Sequence, residues 1–236
     1  MIERYGNKIL YNMCEENREH KNINVVEGKI WLIGRSYSAS PERRQGKPKK
    51  EKTINEKKEE SDFLLKISEY IVNDSKTKEL DNKIESMRNP IYTFTYDFKQ
   101  DQEMLRETVE LVQLLNEIIM KASNKYNLYK RRAENNISFA SKYLHFHLRD
   151  IVYIFDSIAC GNAREQASSS TCNNKEFLEF VSLSEETYKE YAKHVMRCHC
   201  IAIELKKNGN SYSPRAVDDI LIGYNQRYSM LCGEQR

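Results

Sequence analysis

The chain has 236 residues, enough to bury the core of one domain or of two small ones. Its net charge is only +3 although 31% of the residues are charged, and this balance permits nucleic acid as a partner without requiring it. Eight glycines and four prolines favour helices over a turn-rich β architecture. We expect no signal peptide, no membrane span and no disulfide framework, and hence a cytoplasmic protein with reduced thiols.

The first 60 residues divide into a helical segment over residues 1–40 and a charged stretch over residues 41–60. Trp31 lies at the apolar centre of a helix predicted over residues 27–38. Residues 41–60 have too little apolar content to offset the entropy of folding, so they are predicted to form a flexible loop.

A basic cluster begins in this region and is followed directly by acidic residues, which weaken its field. The pattern favours a solvated loop over a dedicated nucleic-acid-binding arm. The basic residues are Arg35, Arg43, Arg44, Lys47, Lys49 and Lys50, with Tyr37 among them.

Residues 61–236 are predicted to form one helical domain because apolar residues recur there at helical spacing. Ser61 is the expected N-cap of the first of its helices, and Asn208-Gly209 ends a later one. Residues 91–98 alternate in β-branched and aromatic types, but no partner strand is evident, so an extended link is expected. The sum is an all-α fold of about eight helices. Helices are predicted near residues 61–73, 80–87, 101–123, within 137–160, within 176–207 and at 214–228, with a polar loop over 161–175.

The segment of residues 137–159 carries the most chemical information. Ser138, Lys142, His145 and Arg149 recur at i, i+4, i+7 and i+11, so they would share one polar helix face opposite an apolar one. With Ser138 as N-cap, Lys142 would lie near the first turn, where the helix dipole favours a neutral amine. Asp156 is predicted to cap the next helix, where backbone N–H groups keep a carboxylate ionised.

A lysine and an aspartate placed in this way can open a glycosidic C–N bond. The reaction needs a nucleophile that captures C1′ and an anion that stabilises the oxocarbenium-like sugar. Lys142 would serve as nucleophile only when neutral, and Asp156 would supply the anion.

The order of hairpin, lysine-bearing helix, apolar run and aspartate resembles the helix-hairpin-helix DNA glycosylase superfamily, especially its 8-oxoguanine glycosylase branch. Lys142 ends the run Phe-Ala-Ser-Lys of residues 139–142, and Asp156 lies in Tyr-Ile-Phe-Asp-Ser of residues 153–157. The resemblance extends over roughly residues 125–160. Two family features are missing: residues 137–141 lack the hairpin glycine, whose place Asn135-Asn136 would take, and no proline precedes the aspartate.

The resemblance implies a glycosylase-like helical fold, a Schiff-base AP-lyase step at Lys142, DNA as partner and extrusion of the target nucleotide. We expect no cofactor and no metal. Tyr143 and His145 are the candidate base-pocket residues. The candidate nucleic-acid contacts are Lys125, Lys130, Arg131, Arg132, Ser138, Ser141 and Arg149.

Two alternatives stay open. The basic and aromatic residues 125–132 fit either a phosphate-binding surface or the solvated end of a long helix. The whole chain also fits a non-catalytic helical module that binds nucleic acid or a protein, in DNA repair or phage defence. His194 and Cys198 share a helix face, yet the chain has no C-x-x-C pair, so metal binding is not predicted.

Overall fold

The computed structural model describes residues 5–36, 54–126, 136–167 and 175–232. The regular structure in these four ranges is entirely helical, which confirms the all-α prediction. These ranges contain ten α-helices, whereas the sequence predicted about eight. Glu186–Tyr188 form a short 3₁₀ helix. In chain order the α-helices are α1 Tyr5–Glu16, α2 Ile23–Ser36, α3 Ile54–Asn73, α4 Ser75–Met87, α5 Phe98–Lys125, α6 Ile137–His147, α7 Ser157–Gln166, α8 Lys175–Ser182, α9 Lys189–Lys207 and α10 Pro214–Cys232.

The chain forms two compact units. Unit 1 comprises Met1–Asn89 and Leu111–Leu148, and unit 2 comprises Pro90–Glu110 and Arg149–Arg236. The chain therefore passes from unit 1 to unit 2 and back before α6, and α5 contributes residues to both.

In unit 1, α2 packs against α1, α3 and α6, and α4 packs against α3. The core side chains come from apolar positions at helical spacing, as the sequence predicts. Asp74 caps α4 by accepting a hydrogen bond from the Lys76 backbone N–H at 2.9 Å. The buried apolar residues include Leu10, Val26, Ile30, Ile33, Phe63, Ile67, Ile71, Leu80, Ile84, Val112, Leu115 and Ile119.

The predicted start of α3 at Ser61 is wrong, because the helix begins at Ile54. The added residues are mostly Glu and Lys, which have high helix propensity and need no burial to extend a helix whose later turns are packed. Part of the stretch expected to be a flexible loop is therefore helical.

In unit 2, α9 packs against α7, α8 and α10. The polar loop expected over residues 161–175 is wrong for its first part, since α7 continues to Gln166. The reason is tertiary: Ala159 and Ala163 are buried, and the Asn162 side-chain amide donates to the Leu221 carbonyl at 2.5 Å. A short polar sequence is thus held helical by its packing.

The predicted extended link is confirmed, since the residues between α4 and α5 form neither a further helix nor a strand. Asp101 organises this link by accepting hydrogen bonds from the Thr95 backbone N–H at 2.8 Å, the Thr95 hydroxyl at 2.9 Å and the Tyr96 N–H at 2.7 Å. Burial opposes ionisation of Asp101, but the hydrogen bonds with His199 and Thr95 outweigh it and lower the pKa of the carboxyl. Tyr96 adopts a φ of 57° in this turn.

Two glycines give opposite expectations for substitution by alanine. Gly209 ends α9 with a φ of 70°, whereas Gly161 lies inside α7, and an added Cβ meets no atom within 4 Å at either position. We expect Gly209→Ala to lower the free energy of unfolding by about 1 kcal/mol through backbone strain alone. Gly161→Ala should raise it by up to about 1 kcal/mol through helix propensity. Urea unfolding of both variants measures the difference, and equal effects would contradict the assigned backbone conformations.

Candidate functional site

Helix α6, which carries Lys142, is buried on every side. Ten of its eleven residues are buried, and the exposed fractions of Lys142 and His145 are 4% and 0%. The prediction of a polar face exposed opposite an apolar one is therefore wrong. Arg149 lies beyond the helix, which ends at His147. The reason is that α1 and α2 of unit 1 both pack against α6 and cover its polar side.

The start of α6 also differs from the prediction. Asn136, not Ser138, is the N-cap residue, and its backbone N–H donates to the Asn116 side-chain oxygen at 2.7 Å. Ser138 is the second residue of the helix, and its hydroxyl accepts a hydrogen bond from Lys142 Nζ at 3.5 Å. Lys142 consequently lies in the second turn, further from the helix terminus than expected, where the dipole acts less.

The prediction that Asp156 caps the next helix is confirmed. Its backbone is extended, with φ −144° and ψ 170°, and its carboxylate accepts a hydrogen bond from the Ala159 backbone N–H at 2.8 Å. Lys142 belongs to unit 1 and Asp156 to unit 2, and a non-helical stretch of chain joins the two helices.

Of the predicted nucleic-acid contacts in the basic stretch, the structure describes Lys125. Its ammonium lies 5.3 Å from the ring centroid of Tyr70 and 5.4 Å from that of Tyr126, so it makes cation–π contacts with both rings. Lys130, Arg131 and Arg132 lie outside the described residues.

The remaining predicted contacts differ in their surroundings. Ser141 is fully buried and donates to the Ser138 carbonyl at 3.2 Å, so it presents nothing to a phosphate. Arg149 is exposed and pairs with Asp150 at 3.4 Å. Tyr143 and His145, the candidate base-pocket residues, are both fully buried.

Polar side chains from α1, α2 and the segment between them hold α6 in place, and these residues were missed at the sequence level. The Tyr11 hydroxyl lies 2.9 Å from His145 Nε2, within hydrogen-bonding distance. Lys29, although fully buried, donates to the Asn17 carbonyl at 2.7 Å and lies 3.3 Å from His147 Nε2. His145 and His147, which α6 buries toward this side, thus each lie beside a polar side chain.

Three aromatic rings pack together beside these hydrogen bonds. His20, Tyr143 and His147 lie nearly parallel, with 5.3–5.6 Å between the centroids of each pair. Asp81 holds His20 in place, because its carboxylate accepts from the His20 backbone N–H at 3.1 Å and bonds the ring Nδ1. His20 Nε2, the Tyr143 hydroxyl and His147 Nδ1 are buried without a hydrogen-bond partner in the described structure. We call Tyr11, His20, Lys29, Tyr143, His145 and His147 the α6 cluster.

Burial disfavours the charged forms of several groups in and beside the α6 cluster. It lowers the pKa of Lys29, and it lowers that of His147 well below the usual value, where the positive charges of Lys29, His20 and Arg88 act in the same direction. Burial also raises the pKa of the Tyr143 hydroxyl well above normal and that of the neighbouring Cys14 thiol to about 11. The cluster is therefore suited to positioning α6 and unsuited to binding phosphate as a cationic patch.

A groove of about 590 Å³ lies next to Asp81 in unit 1. Its two basic residues already pair with acidic ones: Arg18 with Glu15 and Glu85, and Lys21 with Glu19. The net charge of the lining is negative, so it repels a phosphate backbone. The lining residues are Glu15, Glu16, Asn17, Arg18, Glu19, Lys21, Asn22, Asp81, Asn82 and Glu85.

In unit 2, two thiols lie against one imidazole. Cys160 Sγ is 3.5 Å from His194 Nδ1, Cys198 Sγ is 3.4 Å from Nε2, and Nε2 also lies 2.8 Å from the Ile154 carbonyl oxygen. Burial raises the pKa of Cys160 to about 12 and lowers that of His194 to about 4, so both groups are neutral near pH 7. The described ranges contain no group of three or more His, Cys, Asp or Glu side chains that could hold a metal ion.

Comparison of the chain with protein-family models, with curated proteins and with solved structures finds no match. Within the described ranges, no helix combines the length and apolar character needed to cross a membrane. The function is therefore inferred from the residues and contacts given above.

The buried imidazole of His194 predicts a pH dependence of stability. Because its pKa is about 4 in the folded protein and near 6.5 when unfolded, the unfolded chain takes up the proton first as the pH falls. The free energy of unfolding should therefore fall by about 3 kcal/mol between pH 6.5 and pH 4 from this group, and His147 acts in the same direction. Urea titrations across this range measure the slope. His194→Gln should show a shallower slope, and an unchanged slope would contradict the assignment.

Proposed function

We propose that this chain is a base-excision protein that acts on DNA by the mechanism of DNA glycosylases, with Lys142 as nucleophile and Asp156 as the stabilising anion. The observation that carries the proposal is the cap of α7: the Asp156 carboxylate accepts a hydrogen bond from the Ala159 backbone N–H at 2.8 Å, which fixes the carboxylate at the start of this helix. The lysine-bearing helix precedes this cap in the chain, in the order that the glycosylase resemblance implies.

The proposed reaction starts with cleavage of the C1′–N bond, in which the base leaves with the bonding electron pair. The Lys142 amine bonds to C1′ and passes one proton to the departing base, and its second proton goes to O4′ as the C1′–O4′ bond opens to give the Schiff base. β-Elimination of the 3′ phosphate follows in the AP-lyase branch of the mechanism. Asp156 stabilises the positive charge that develops on the sugar ring as the base departs.

The burial of Lys142 sets a requirement for this chemistry. With 4% of its surface exposed, Lys142 cannot reach a sugar that stays stacked in a duplex. The target nucleotide must be extruded from the helix, a step that costs least for damaged or mismatched bases. The burial of Lys142 also keeps water away from the amine, which protects a Schiff base from hydrolysis.

A second candidate is a helical module that binds nucleic acid or protein without catalysis. The observation that favours it is the complete burial of Tyr143 and His145, which belong to the α6 cluster and leave no open pocket around themselves. In that case Lys142 is a buried lysine that donates a hydrogen bond to the Ser138 hydroxyl, and Asp156 serves only as the N-cap of α7.

Borohydride trapping with duplex DNA that contains 8-oxoguanine or an abasic site separates the two candidates. The wild-type chain should give a covalent adduct, and Lys142→Gln should abolish it because the amine is gone. Asp156→Asn should slow trapping by about 10²–10³-fold while keeping the helix cap, since asparagine is an equally good N-cap. Lys66→Gln, an exposed position on α3, is the matched control and should trap like the wild type.

Absence of an adduct with both DNA substrates, or an adduct that persists in Lys142→Gln, would overturn the proposed function. Binding that persists without an adduct would favour the non-catalytic module. Circular dichroism of each variant shows whether the helical fold is retained.

A further inference from the structure

Trp31 is the single tryptophan of the chain and lies half exposed on α2, with 48% of its surface accessible. Large exposed aromatic side chains are uncommon on a folded domain and mark binding surfaces more often than aliphatic ones do. The other side of α2 is packed, since Val26, Ile30 and Ile33 are buried. The indole is therefore presented from a rigid helix.

Arg35 lies one turn further along the same face of α2. Its guanidinium carbon is 5.9 Å from the Trp31 ring centroid, in the range of a cation–π contact. Residues at i and i+4 are neighbours on a helix surface, so the indole and the guanidinium form one continuous platform. An aromatic ring next to a cation suits a ligand that has a flat π-face and a negative charge.

The charge of the following sequence points to the same class of ligand. Residues 35–50 contain six Lys and Arg residues and one acidic residue, Glu42, and the acidic residues that weaken this charge begin only at Glu51, 16 positions after Arg35. A purely apolar protein partner gains nothing from such a charge excess, whereas a phosphate backbone is attracted by it. The acidic groove of unit 1 is lined by other residues and does not include Trp31 or Arg35.

We infer that Trp31 and Arg35 form a stacking platform for an unpaired base of single-stranded DNA. The base stacks on the exposed indole, and the guanidinium contacts its phosphate. This inference goes beyond the proposed function and shares with it only the premise that the ligand is nucleic acid. It requires no chemistry at Lys142 or Asp156.

The single tryptophan provides a direct test in the full chain. Titration with a 12-nucleotide oligothymidylate at low salt should quench the indole fluorescence in a saturable manner, and added salt should reverse the quenching. Anisotropy of the labelled oligonucleotide should show that Trp31→Ala raises Kd by about 5- to 150-fold, which corresponds to about 1–3 kcal/mol per stacked base. Trp31→Phe should recover part of the affinity, and Arg35→Gln should reduce both the affinity and its salt dependence.

Leu65→Ala is the matched control, because Leu65 is an exposed apolar residue on α3 of the same unit, with 38% of its surface accessible. Unquenched fluorescence, or equal affinities for Trp31→Ala, Leu65→Ala and the wild type, would overturn the inference. Saturable quenching without Schiff-base trapping would support the stacking platform and contradict the proposed catalysis. Failure of the platform and failure of the proposed function can therefore be told apart.

Discussion

The structure of unit 1 depends on how it accommodates the buried Lys29. A lysine with no exposed surface must satisfy its amine internally, and Lys29 does so with the Asn17 carbonyl at 2.7 Å and His147 Nε2 at 3.3 Å. These two contacts tie α2 to the chain just after α1 and to the end of α6. The position of Lys142, five residues before His147 on the same helix, follows from this arrangement.

In unit 2, a buried carboxylate likewise connects segments that are distant in the sequence. Asp101 accepts three hydrogen bonds from Thr95 and Tyr96, and its carboxylate lies 3.0 Å from His199 Nε2. These contacts connect the extended link between α4 and α5 to α9. They also offset the conformational strain of the positive φ at Tyr96. In both units a buried histidine beside a carboxylate joins segments that are distant in sequence.

Local signals predicted the elements that depend on local interactions. The sequence predicts Asp156 as an N-cap because the cap bond to Ala159 spans only three residues, and it predicts the extended link before α5 because residues 91–98 have no evident partner strand in the sequence. The errors share one cause. Ser138 and Ser61 are good capping residues, but the helices begin before them, at positions selected by propensity and packing. The polar spacing of α6 predicted solvent exposure, yet other helices cover that face.

The sequence by itself determined that the described chain is helical, and it placed a lysine-bearing helix before an aspartate cap. Only the tertiary structure decided that α6 is buried, which residues hold it, and how the chain divides into two units. The physical reason is distance along the chain. Helical periodicity and caps are set by neighbours three or four residues apart. The contacts between His20 and Asp81 and between Tyr11 and His145 join residues 61 and 134 positions apart, and no local pattern encodes them.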